Sequence, residues 1–322
     1  MCTTCGCGDD KWSVDSEPHT HANEETAGIA ATTYRSHPGP GALVQPHWHR
    51  HEDGSWHRHE LSTPRAHDDD AVEDAAAVRT LAIEQDILSR NDAIAEVNRR
   101  RFADQGVFAL NLVSSPGSGK TTLVIETARA WRERTPIAVI EGDQRTSLDA
   151  DRVRAAGIAA VQINTAKGCH LDAQMVGQAL EKLAVADDSL LLIENVGNLV
   201  CPAGFDLGEA HKVVVLSVTE GEDKPLKYPD MFHAADLMII NKSDLLPYVD
   251  FDVATAIEYA RRVRPGIGAI VLSARTGEGF EDWLAWLEAG MLRAMRAHHT
   301  TVDALRRRVA ELEAQLRAVP TV

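Results

Sequence analysis

The run that most constrains the fold of this chain is residues 114–122, which have the sequence Ser-Ser-Pro-Gly-Ser-Gly-Lys-Thr-Thr. They follow an apolar run, residues 107–113, that predicts a buried strand, and they precede a helical pattern over residues 121–134. A glycine-rich loop between a strand and a helix can close its backbone N–H groups around phosphate oxygens, and the helix dipole assists. A plain glycine-rich turn with a surface lysine is the alternative. The strand–loop–helix context favours a phosphate-binding loop.

Several side chains of this loop have expected roles. Lys120 would reach the β- and γ-phosphates of a nucleotide, and the Thr121 hydroxyl would bind Mg²⁺. Ser114 stands where the general G-x-x-x-x-G-K-S/T pattern has its first glycine, so the match is imperfect at that position. The predicted nucleotide-binding residues of the loop are Gly117, Ser118, Gly119, Lys120, Thr121 and Thr122.

A second run, Asn-Lys-Ser-Asp at residues 241–244, follows the apolar strand candidate 237–240. Ligands of open α/β sheets bind at the carboxyl ends of strands. There the Asp244 carboxylate would accept hydrogen bonds from guanine N1–H and N2–H₂, a pair of donors that adenine lacks. A buried acceptor left unpaired costs about 1–3 kcal/mol, so this residue would discriminate between the bases. On its own, a four-residue pattern indicates no more than an exposed turn.

A third run supports the guanine interpretation. Ser273 and Ala274 follow another apolar strand candidate, residues 269–272, and their backbone could contact the base oxygen O6. Together the three runs predict GTP rather than ATP. The predicted base-side residues are Asn241, Lys242, Asp244, Ser273 and Ala274.

Charge and cysteine usage narrow the class of protein. A net charge of −15 disfavours nucleic acid or anionic lipid as a partner. No apolar run reaches the ~18 residues of a membrane span, and no secretory signal is visible. Five cysteines, three of them near the N-terminus, argue against a disulfide framework and for a reducing cytosol. We therefore expect a cytoplasmic protein whose partners are neither nucleic acid nor a membrane.

The chain divides into three predicted parts. Residues 1–70 lack hydrophobic periodicity and contain nine of the 14 histidines, which predicts a mostly disordered Cys/His-rich metal-binding arm. Residues 75–297 begin with a helical pattern and continue with alternating strands and helices, which predicts an α/β P-loop GTPase domain with a mainly parallel sheet and helices on both faces. Residues 298–322 carry apolar positions spaced three and four apart, which predicts an amphipathic helix, either a short coiled coil or a helix packed on its own domain.

The predicted strands are 107–113, 137–140, 160–163, 190–193, 213–218, 237–240 and 270–272. The predicted helices include 74–101, 121–134, 173–184, 253–263 and 280–296.

Two strand ends between the first and second runs bear on hydrolysis. Asp143 is placed to hold the Mg²⁺ hydration shell or to orient the attacking water. Residues 194–197, Glu-Asn-Val-Gly, look like a D-x-x-G element with Glu in place of Asp, and a Gly197 N–H aimed at the γ-phosphate would make this loop sensitive to the nucleotide. The alternative for each acidic residue is a simple strand-end turn. No catalytic arginine or glutamine can be assigned, so slow turnover is expected. The predicted catalytic residues are Lys120, Asp143, Glu194 and Gly197, and the predicted magnesium-binding residues are Thr121 and Asp143.

Three cysteines at the N-terminus, Cys2, Cys5 and Cys7, predict a metal site. With the α-amine as a fourth ligand, these thiolates could adopt the square-planar geometry that Ni(II) favours. A tetrahedral zinc site would usually have a second pair of ligands. A redox C-x-x-C motif requires a βαβ context, which the sequence lacks here.

A second group, Cys169, His170 and Cys201, lies beyond the carboxyl ends of strands on the nucleotide side. Cysteines are often simply small buried hydrophobic residues, which is the alternative interpretation. The position of Cys201 beside residues 194–197 raises the possibility of a nickel or zinc site that responds to the nucleotide. The dispersed histidines of the arm are either low-affinity metal ligands or part of a solvated linker.

The order of these motifs resembles the HypB family, the nickel-incorporation GTPases of NiFe-hydrogenase maturation. The resemblance covers residues 1–7 and about 75–297, through C-x-x-C-G-C, S-S-P-G-S-G-K-T-T, E-G-D-Q, G-C-H-L-D, E-N-V-G-N-L-V-C-P, N-K-S-D-L-L-P-Y and S-A-R-T-G-E-G. A serine at position 114 is typical of that family. Residues 298–322 look like an added extension.

The resemblance implies GTP hydrolysis coupled to delivery of Ni²⁺ to the hydrogenase large-subunit precursor, together with other nickel-insertion accessory proteins. It also implies a nucleotide-promoted homodimer with the second metal site at its interface. By motif match, the high-affinity nickel ligands are Cys2, Cys5 and Cys7, and the GTPase-domain ligands for nickel or zinc are Cys169, His170 and Cys201.

Two other classes of protein share some of these features. A urease-accessory nickel GTPase has the phosphate loop and the N-K-x-D run, but is not expected to have the C-x-x-C-G-C head. A nickel-storage protein would account for the cysteines and histidines, but not for a complete guanine-binding set.

Overall fold

The computed structural model describes residues 13–15, 48–50, 56–58, 68–144 and 148–318, and side chains within 82–144, 148–301, 305–312 and at Arg317. Cys2, Cys5 and Cys7 lie outside the described residues. The strands are β1 (Ser13–Asp15), β2 (Trp48–Arg50), β3 (Trp56–Arg58), β4 (Phe108–Ser114), β5 (Ile137–Asp143), β6 (Ala159–Asn164), β7 (Leu190–Gly197), β8 (His211–Ser217), β9 (Leu237–Asn241) and β10 (Gly268–Val271). The helices are α1 (Asp68–Gln105), α2 (Lys120–Trp131), α3 (Leu148–Ala155), α4 (Ala173–Lys182), α5 (Lys224–Lys227), α6 (Pro229–Ala234), α7 (Val253–Val263), α8 (Phe280–Thr300) and α9 (Val302–Ala318).

The described residues fall into two units, one of residues 13–15 with those from Gln85 onward, the other between His19 and Glu84. In the larger unit, seven parallel strands lie in the order β6-β5-β7-β4-β8-β9-β10, and β1 pairs antiparallel with β6. In the smaller unit, β2 and β3 form an antiparallel pair with His49 opposite His57. The sequence predicts no strand before residue 107, so these three short strands are additions to the predicted elements.

The parallel sheet forms because its strands are nearly continuous apolar runs, which a sheet covered on both faces requires. On one face, Leu110 and Leu112 of β4 pack with the apolar residues of α2, α3 and α8. On the other face, Ala109 of β4 belongs to a cluster with α1 and α4, and Val113 to a cluster with α6 and α7. The predicted α/β fold with helices on both faces is confirmed.

Helix α1 extends beyond the predicted range of 74–101 at both ends. Its buried residues differ from those that the apolar spacing indicates. Ile87 and Val97 are 38% and 63% exposed, whereas Asn91 and Asn98 are buried. The Asn98 amide donates to the carbonyls of Ala173 and Leu207 at 2.8 and 3.1 Å, so polar contacts fix this face of the helix.

Near the C-terminus, α8 continues four residues beyond the predicted end, and α9 is the helix that the apolar spacing predicts. Leu305, Val309 and Leu312 of α9 are 55%, 55% and 43% exposed, so the described part of the apolar seam is not buried on the domain. The Arg307 guanidinium donates to the Asp104 carbonyl. The proposed boundary at residue 298 stays a prediction.

Within the described residues, no helix has both the length and the apolar composition of a membrane-spanning segment.

The burial of Asn98 leads to a stability prediction. Asn98→Ala leaves the Ala173 and Leu207 carbonyls unpaired, so we expect the free energy of unfolding to fall by about 1–3 kcal/mol in urea titrations. The control is Arg100→Ala on the same helix, where an exposed side chain pairs with Glu96 at 3.0 Å. It should shift the midpoint much less. Equal shifts for the two variants would contradict the assigned role of Asn98.

Candidate functional site

The phosphate loop joins β4 to α2 through two glycines with left-handed backbone. Gly117 has φ 77° and Gly119 has φ 96°. A Cβ atom on Gly119 would lie 2.6 Å from the Asn241 amide nitrogen. Both this close contact and the left-handed backbone therefore disfavour any side chain at position 119. Lys120 begins α2 and is buried, and its Nζ donates to Ser114 Oγ at 2.6 Å. Burial lowers the pKa of Lys120, against the opposing effect of Glu194 and other carboxyl groups.

Two buried glutamates lie beside the loop on adjacent strands. Glu141 of β5 and Glu194 of β7 are partners in the strand register. Thr121 Oγ1 donates to Glu194 Oε1 at 2.8 Å. Burial raises the pKa of Glu194 to about 7, and burial together with the nearby Glu194 raises the pKa of Glu141 to about 9. Among the described residues, one carboxyl oxygen of each glutamate has no hydrogen-bond partner.

These groups surround a cavity of about 480 Å³. Asp143 lies on its wall, as does Arg152, which pairs with Asp149 at 3.1 Å. Glu141, Asp149 and Arg152 were not among the predicted site residues. For Glu141 the signal that was missed is an acidic residue directly after the predicted strand 137–140, which the observed strand β5 includes. For Asp149 and Arg152 the sequence gives no signal. The cavity is lined by Pro116, Gly117, Gly119, Lys120, Thr121, Thr122, Glu141, Gly142, Asp143, Gln144, Asp149, Arg152, Glu194, Asn195, Val196 and Gly197.

The oxygen groups of this cavity fit Mg²⁺, which prefers hard oxygen ligands and retains several waters. A hydroxyl from Thr121 and carboxyl groups from Glu194 and Asp143 are the groups that would hold the ion. The unpartnered oxygen of Glu194 is the observation that supports this fit. A divalent cation here would favour the ionised carboxylates and so oppose the effect of burial on their pKa values.

The end of β7 contacts the phosphate loop directly. A Cβ atom on Gly197 would lie 3.1 Å from Pro116 Cα, closer than ordinary packing allows. Glycine therefore lets the strand end reach the backbone of the loop. A rearrangement of the loop around a γ-phosphate would therefore displace Gly197.

The predicted base-side residues come together at the ends of β9 and β10. The Asn241 amide donates to the Ser118 carbonyl at 2.9 Å and accepts from the Ala274 N–H at 3.0 Å. Lys242, in a left-handed conformation, donates to the Gly117 carbonyl at 2.7 Å. Ser273 Oγ donates to Asp244 Oδ1 at 2.6 Å. These contacts orient the Asp244 carboxylate and tie the base-side residues to the phosphate loop, although none of the five lines the cavity described above.

Cys169, His170 and Cys201 converge as the sequence predicts, with one ligand atom from each within 4.8 Å of the others. All three side chains are half-buried, and Cys169 Sγ lies 3.7 Å from His170 Nδ1. The imidazole lies against the Phe205 ring, tilted by 36° to it, with ring centroids 3.9 Å apart. Burial lowers the pKa of His170, which favours the neutral form that binds metals.

Two asparagines connect this triad to the end of β7, and neither was predicted. The Asn198 amide donates to the Cys169 carbonyl at 3.2 Å. Asn195 accepts from the Leu171 N–H at 3.1 Å and donates to Asn111 at 3.2 Å. Because residues 195 and 198 flank Gly197, the strand end that reaches the phosphate loop also holds the segment carrying Cys169 and His170.

Lys212 contacts the segment that carries Cys201, the third residue of the predicted triad. Its buried Nζ donates to the carbonyls of Pro202, Ala203 and Phe205 at 2.9, 3.3 and 3.1 Å. The carbonyls of Pro202 and Ala203 belong to the short turn Cys201–Ala203, and that of Phe205 follows it by two residues. The ammonium group therefore fixes the turn on which Cys201 lies.

The parallel sheet and the loop together define a phosphate-binding-loop nucleotide-binding domain. Residues 108–270 match the family described as CobW/HypB/UreG, nucleotide-binding domain. The chain is 53% identical over 316 residues to the hydrogenase maturation factor HypB of Azotobacter vinelandii, covering 98% of this chain and 100% of that protein. It is 49% identical over 290 residues to the Escherichia coli K12 factor of that name, covering 89% and 98%. The solved structure of HypB from Helicobacter pylori in complex with nickel matches with a TM-score of 0.59 at 40% identity, covering 63% of this chain and 96% of that one. The chain belongs to the HypB family of hydrogenase maturation factors, which confirms the resemblance based on its motifs.

The raised pKa of Glu141 leads to a prediction about pH and stability. Between its ordinary pKa of 4.5 and its folded-state pKa of about 9, the folded chain binds more protons than the unfolded chain. This contribution to stability is complete below the lower value and is lost as pH rises through the window. Glu141→Gln cannot ionise, so the variant does not lose this stability as the pH rises. Its stability relative to wild type should therefore be greater at about pH 8 than at about pH 5.5.

Thermal unfolding without nucleotide or Mg²⁺ would measure the effect at both pH values. Glu288→Gln, at an exposed carboxylate of α8, is the control and should follow wild type at both. A difference between Glu141→Gln and wild type that does not change with pH would show that this carboxyl is not buried as described.

Proposed function

We propose that this chain is a GTP-hydrolysing nickel metallochaperone that binds Ni²⁺ and delivers it, in a nucleotide-dependent way, to the precursor of a NiFe-hydrogenase. The observation that carries the proposal is the position of residues 194–198. This short segment contacts the phosphate loop at Thr121 and Pro116, and it contacts the Cys169 carbonyl through Asn198. One segment therefore touches both the nucleotide site and the metal site.

GTP hydrolysis is supported by the residues around the cavity. Lys120 would neutralise the β- and γ-phosphates, and Asp143 would orient the attacking water. Mg²⁺, held by Thr121 with Glu194 and Asp143, would supply charge compensation for the phosphates. Gly197 would donate its backbone N–H to the γ-phosphate. Arg152 pairs with Asp149 and is largely exposed, so slow turnover stays our expectation.

Nickel is the cargo, and two groups of residues would carry it. Cys2, Cys5 and Cys7 are the proposed high-affinity ligands. The triad of Cys169, His170 and Cys201 is the proposed exchange site, which takes nickel or zinc because thiolate and imidazole suit both ions. A fourth ligand is needed for four-coordinate geometry, and a second copy of the chain could supply it at a nucleotide-promoted homodimer interface.

The coupling would run along the end of β7. A γ-phosphate that draws in Gly197 shifts Asn195 and Asn198, which hold the segment of Cys169 and His170. Cys201, on the turn held by Lys212, would then stand at a different distance from the other two ligands. Metal affinity would depend on the nucleotide, and by linkage nucleotide affinity would depend on the metal by the same factor.

The partners follow from the family. We propose that nickel passes to the hydrogenase large-subunit precursor together with other nickel-insertion accessory proteins. We also place this activity in the cytoplasm, because reduced thiolates are the proposed ligands and thiols persist in a reducing compartment.

Nucleotide specificity tests the guanine assignment. We expect GTP to bind at least ~100-fold more tightly than ATP, because an unpaired buried carboxylate costs a few kcal/mol. Asp244→Asn should shift the preference towards xanthosine triphosphate, whose C2 carbonyl can accept from an amide. Calorimetric titrations with the three nucleotides would measure this. Equal affinities of wild type for GTP and ATP would contradict the assignment.

The role of Asn198 tests the coupling. The background variant has Cys2, Cys5 and Cys7 replaced by Ala, so that the GTPase-domain site can be titrated. Its Ni²⁺ affinity should differ by about 5–150-fold between GDP and a non-hydrolysable GTP analogue. Asn198→Ala should bring this ratio closer to one, because it removes one of the two bonds that connect the end of β7 to this segment, the bond to the Cys169 carbonyl.

The matched control for that titration is Asn164→Ala. Asn164 lies at the end of β6, which is separated from β7 by β5, and it accepts from the Ala166 N–H within its own turn. This variant should keep the nucleotide dependence of Ni²⁺ affinity. If Asn198→Ala keeps it as well, the proposed path through the end of β7 is wrong.

A further inference from the structure

A second cluster of side chains that can bind metals lies at the amino ends of the strands, at the end of the sheet opposite the phosphate loop. Asp188 lies two residues before the first residue of β7, and His298 and His299 belong to the last turn of α8. The phosphate loop and the Cys169 group follow the carboxyl ends of strands, whereas Asp188 precedes the amino end of one. None of these three residues takes part in the proposed GTP or nickel chemistry.

The geometry of this cluster is that of a small chelating site. His298 Nδ1 lies 2.9 Å from Asp188 Oδ1, and His299 Nε2 lies 3.0 Å from Asp188 Oδ2. One ligand atom from each residue lies within 4.8 Å of the others. The His298 side chain is buried at 8% exposure, and the His299 side chain is 61% exposed. A buried histidine and an exposed histidine therefore contact the same carboxylate, that of Asp188.

A cavity of about 460 Å³ adjoins the three side chains. Asp187, Arg307, Arg308 and Glu311 also line it, and Arg308 pairs with Glu311 at 3.1 Å. The space admits an ion together with water molecules that would complete its coordination.

We propose that Asp188, His298 and His299 bind a borderline divalent transition-metal ion such as Zn²⁺ or Ni²⁺. Two imidazole nitrogens and one carboxylate oxygen are a donor set that such ions accept. Metal–nitrogen distances of about 2.0–2.1 Å in a tetrahedral site put neighbouring ligand atoms roughly 3.3 Å apart. The nitrogen–oxygen distances of 2.9 and 3.0 Å are a few tenths of an ångström shorter, so the ligands need only a small outward shift.

Metal binding at this site has a consequence for α9. The Asp188 carboxylate only accepts hydrogen bonds, so each histidine presents an N–H to it, and a metal must replace both protons. A neutral His298 bound through Nδ1 then carries its proton on Nε2. That nitrogen lies 3.5 Å from a guanidinium nitrogen of Arg307, so two donors would face each other. Arg307 must move away, and its bond to the Asp104 carbonyl is the contact between α9 and α1 that would loosen.

A structural His–Asp pair is the competing interpretation, and the chain contains such a pair. His211 Nδ1 lies 3.1 Å from Asp236 Oδ2, and Arg264 also pairs with that aspartate. There a single histidine meets the carboxylate, and the second partner is a cation. The cluster at Asp188 differs because a second imidazole takes the place that a cation occupies at Asp236.

Hydrogen exchange of the full chain tests the proposal, with Zn²⁺ as the probe. Replacing Cys2, Cys5, Cys7 and Cys201 by Ala in the background variant leaves Cys169 as the remaining cysteine, so neither predicted thiolate site is complete. With Zn²⁺ at about 100 times its dissociation constant, amides that exchange by local opening around residues 298–301 should slow by more than ~10-fold. The measurement is local, so zinc bound by histidines elsewhere does not interfere.

Three variants in that background sharpen the test. His299→Gln, at an exposed position, should abolish the protection, and His233→Gln, also exposed, should retain it. Arg307→Ala should lower the Zn²⁺ concentration needed for half-maximal protection, because it removes a cation and the donor clash. No zinc-dependent protection in the background chain, or equal protection in His299→Gln, would overturn the proposal. A higher zinc requirement in Arg307→Ala would overturn the inferred displacement of Arg307.

Discussion

The contact on which the rest of this site depends is the approach of Gly197 to the phosphate loop. A Cβ atom at that position would lie 3.1 Å from Pro116, so any other residue would have to displace the loop backbone by a few tenths of an ångström. The same strand end carries Glu194, which accepts from Thr121, and it continues into Asn198, which donates to the Cys169 carbonyl. Five consecutive residues therefore contact the phosphate loop, a residue proposed to hold Mg²⁺ and the segment of the proposed nickel or zinc site. A larger residue at 197 should weaken these contacts.

Three buried ionisable groups, Lys120, Glu141 and Glu194, lie together at this site. Glu141 and Glu194 are held beside Lys120 in the low-dielectric interior, and burial raises the pKa of each carboxyl. Buried groups of this kind cost free energy unless a partner compensates for them, and a magnesium nucleotide brings both negative phosphates for Lys120 and a cation for the carboxylates. The site is thus arranged for a ligand that carries both signs of charge.

Much of the fold could be predicted because the determining patterns are local. Strands buried on both faces are apolar runs, and α7 has the predicted bounds because Asp252 caps it by accepting from the N–H groups of Ala254 and Thr255. The phosphate loop and the Asn241 run are local too, since their glycines and polar residues are adjacent in sequence. The buried face of α1 was not predictable from apolar spacing, because Asn98 is buried by contacts with carbonyls that lie 75 and 109 residues away.

The contacts that connect the sites could not be predicted from the sequence either, because they join residues that are far apart in the chain. Asn198 contacts Cys169 across 29 residues, and nothing in the local pattern distinguishes it from an exposed loop asparagine. The ligands of the proposed site at Asp188 are 110 residues apart, and α8 extends beyond its predicted end to bring them together. Arg152 lies on a helix that was not predicted. Side-chain geometry between distant segments, rather than secondary structure, was the missing information.

Reciprocal linkage offers the most direct test of the account, because it measures coupling from the nucleotide side. The affinity of the full chain for a non-hydrolysable GTP analogue would be determined by calorimetry, with and without saturating Ni²⁺. Coupling through the end of β7 predicts that Ni²⁺ changes this affinity by about 5–150-fold, and that Cys201→Ala removes the change. Equal affinities with and without Ni²⁺ would contradict the claim that one strand end serves both sites.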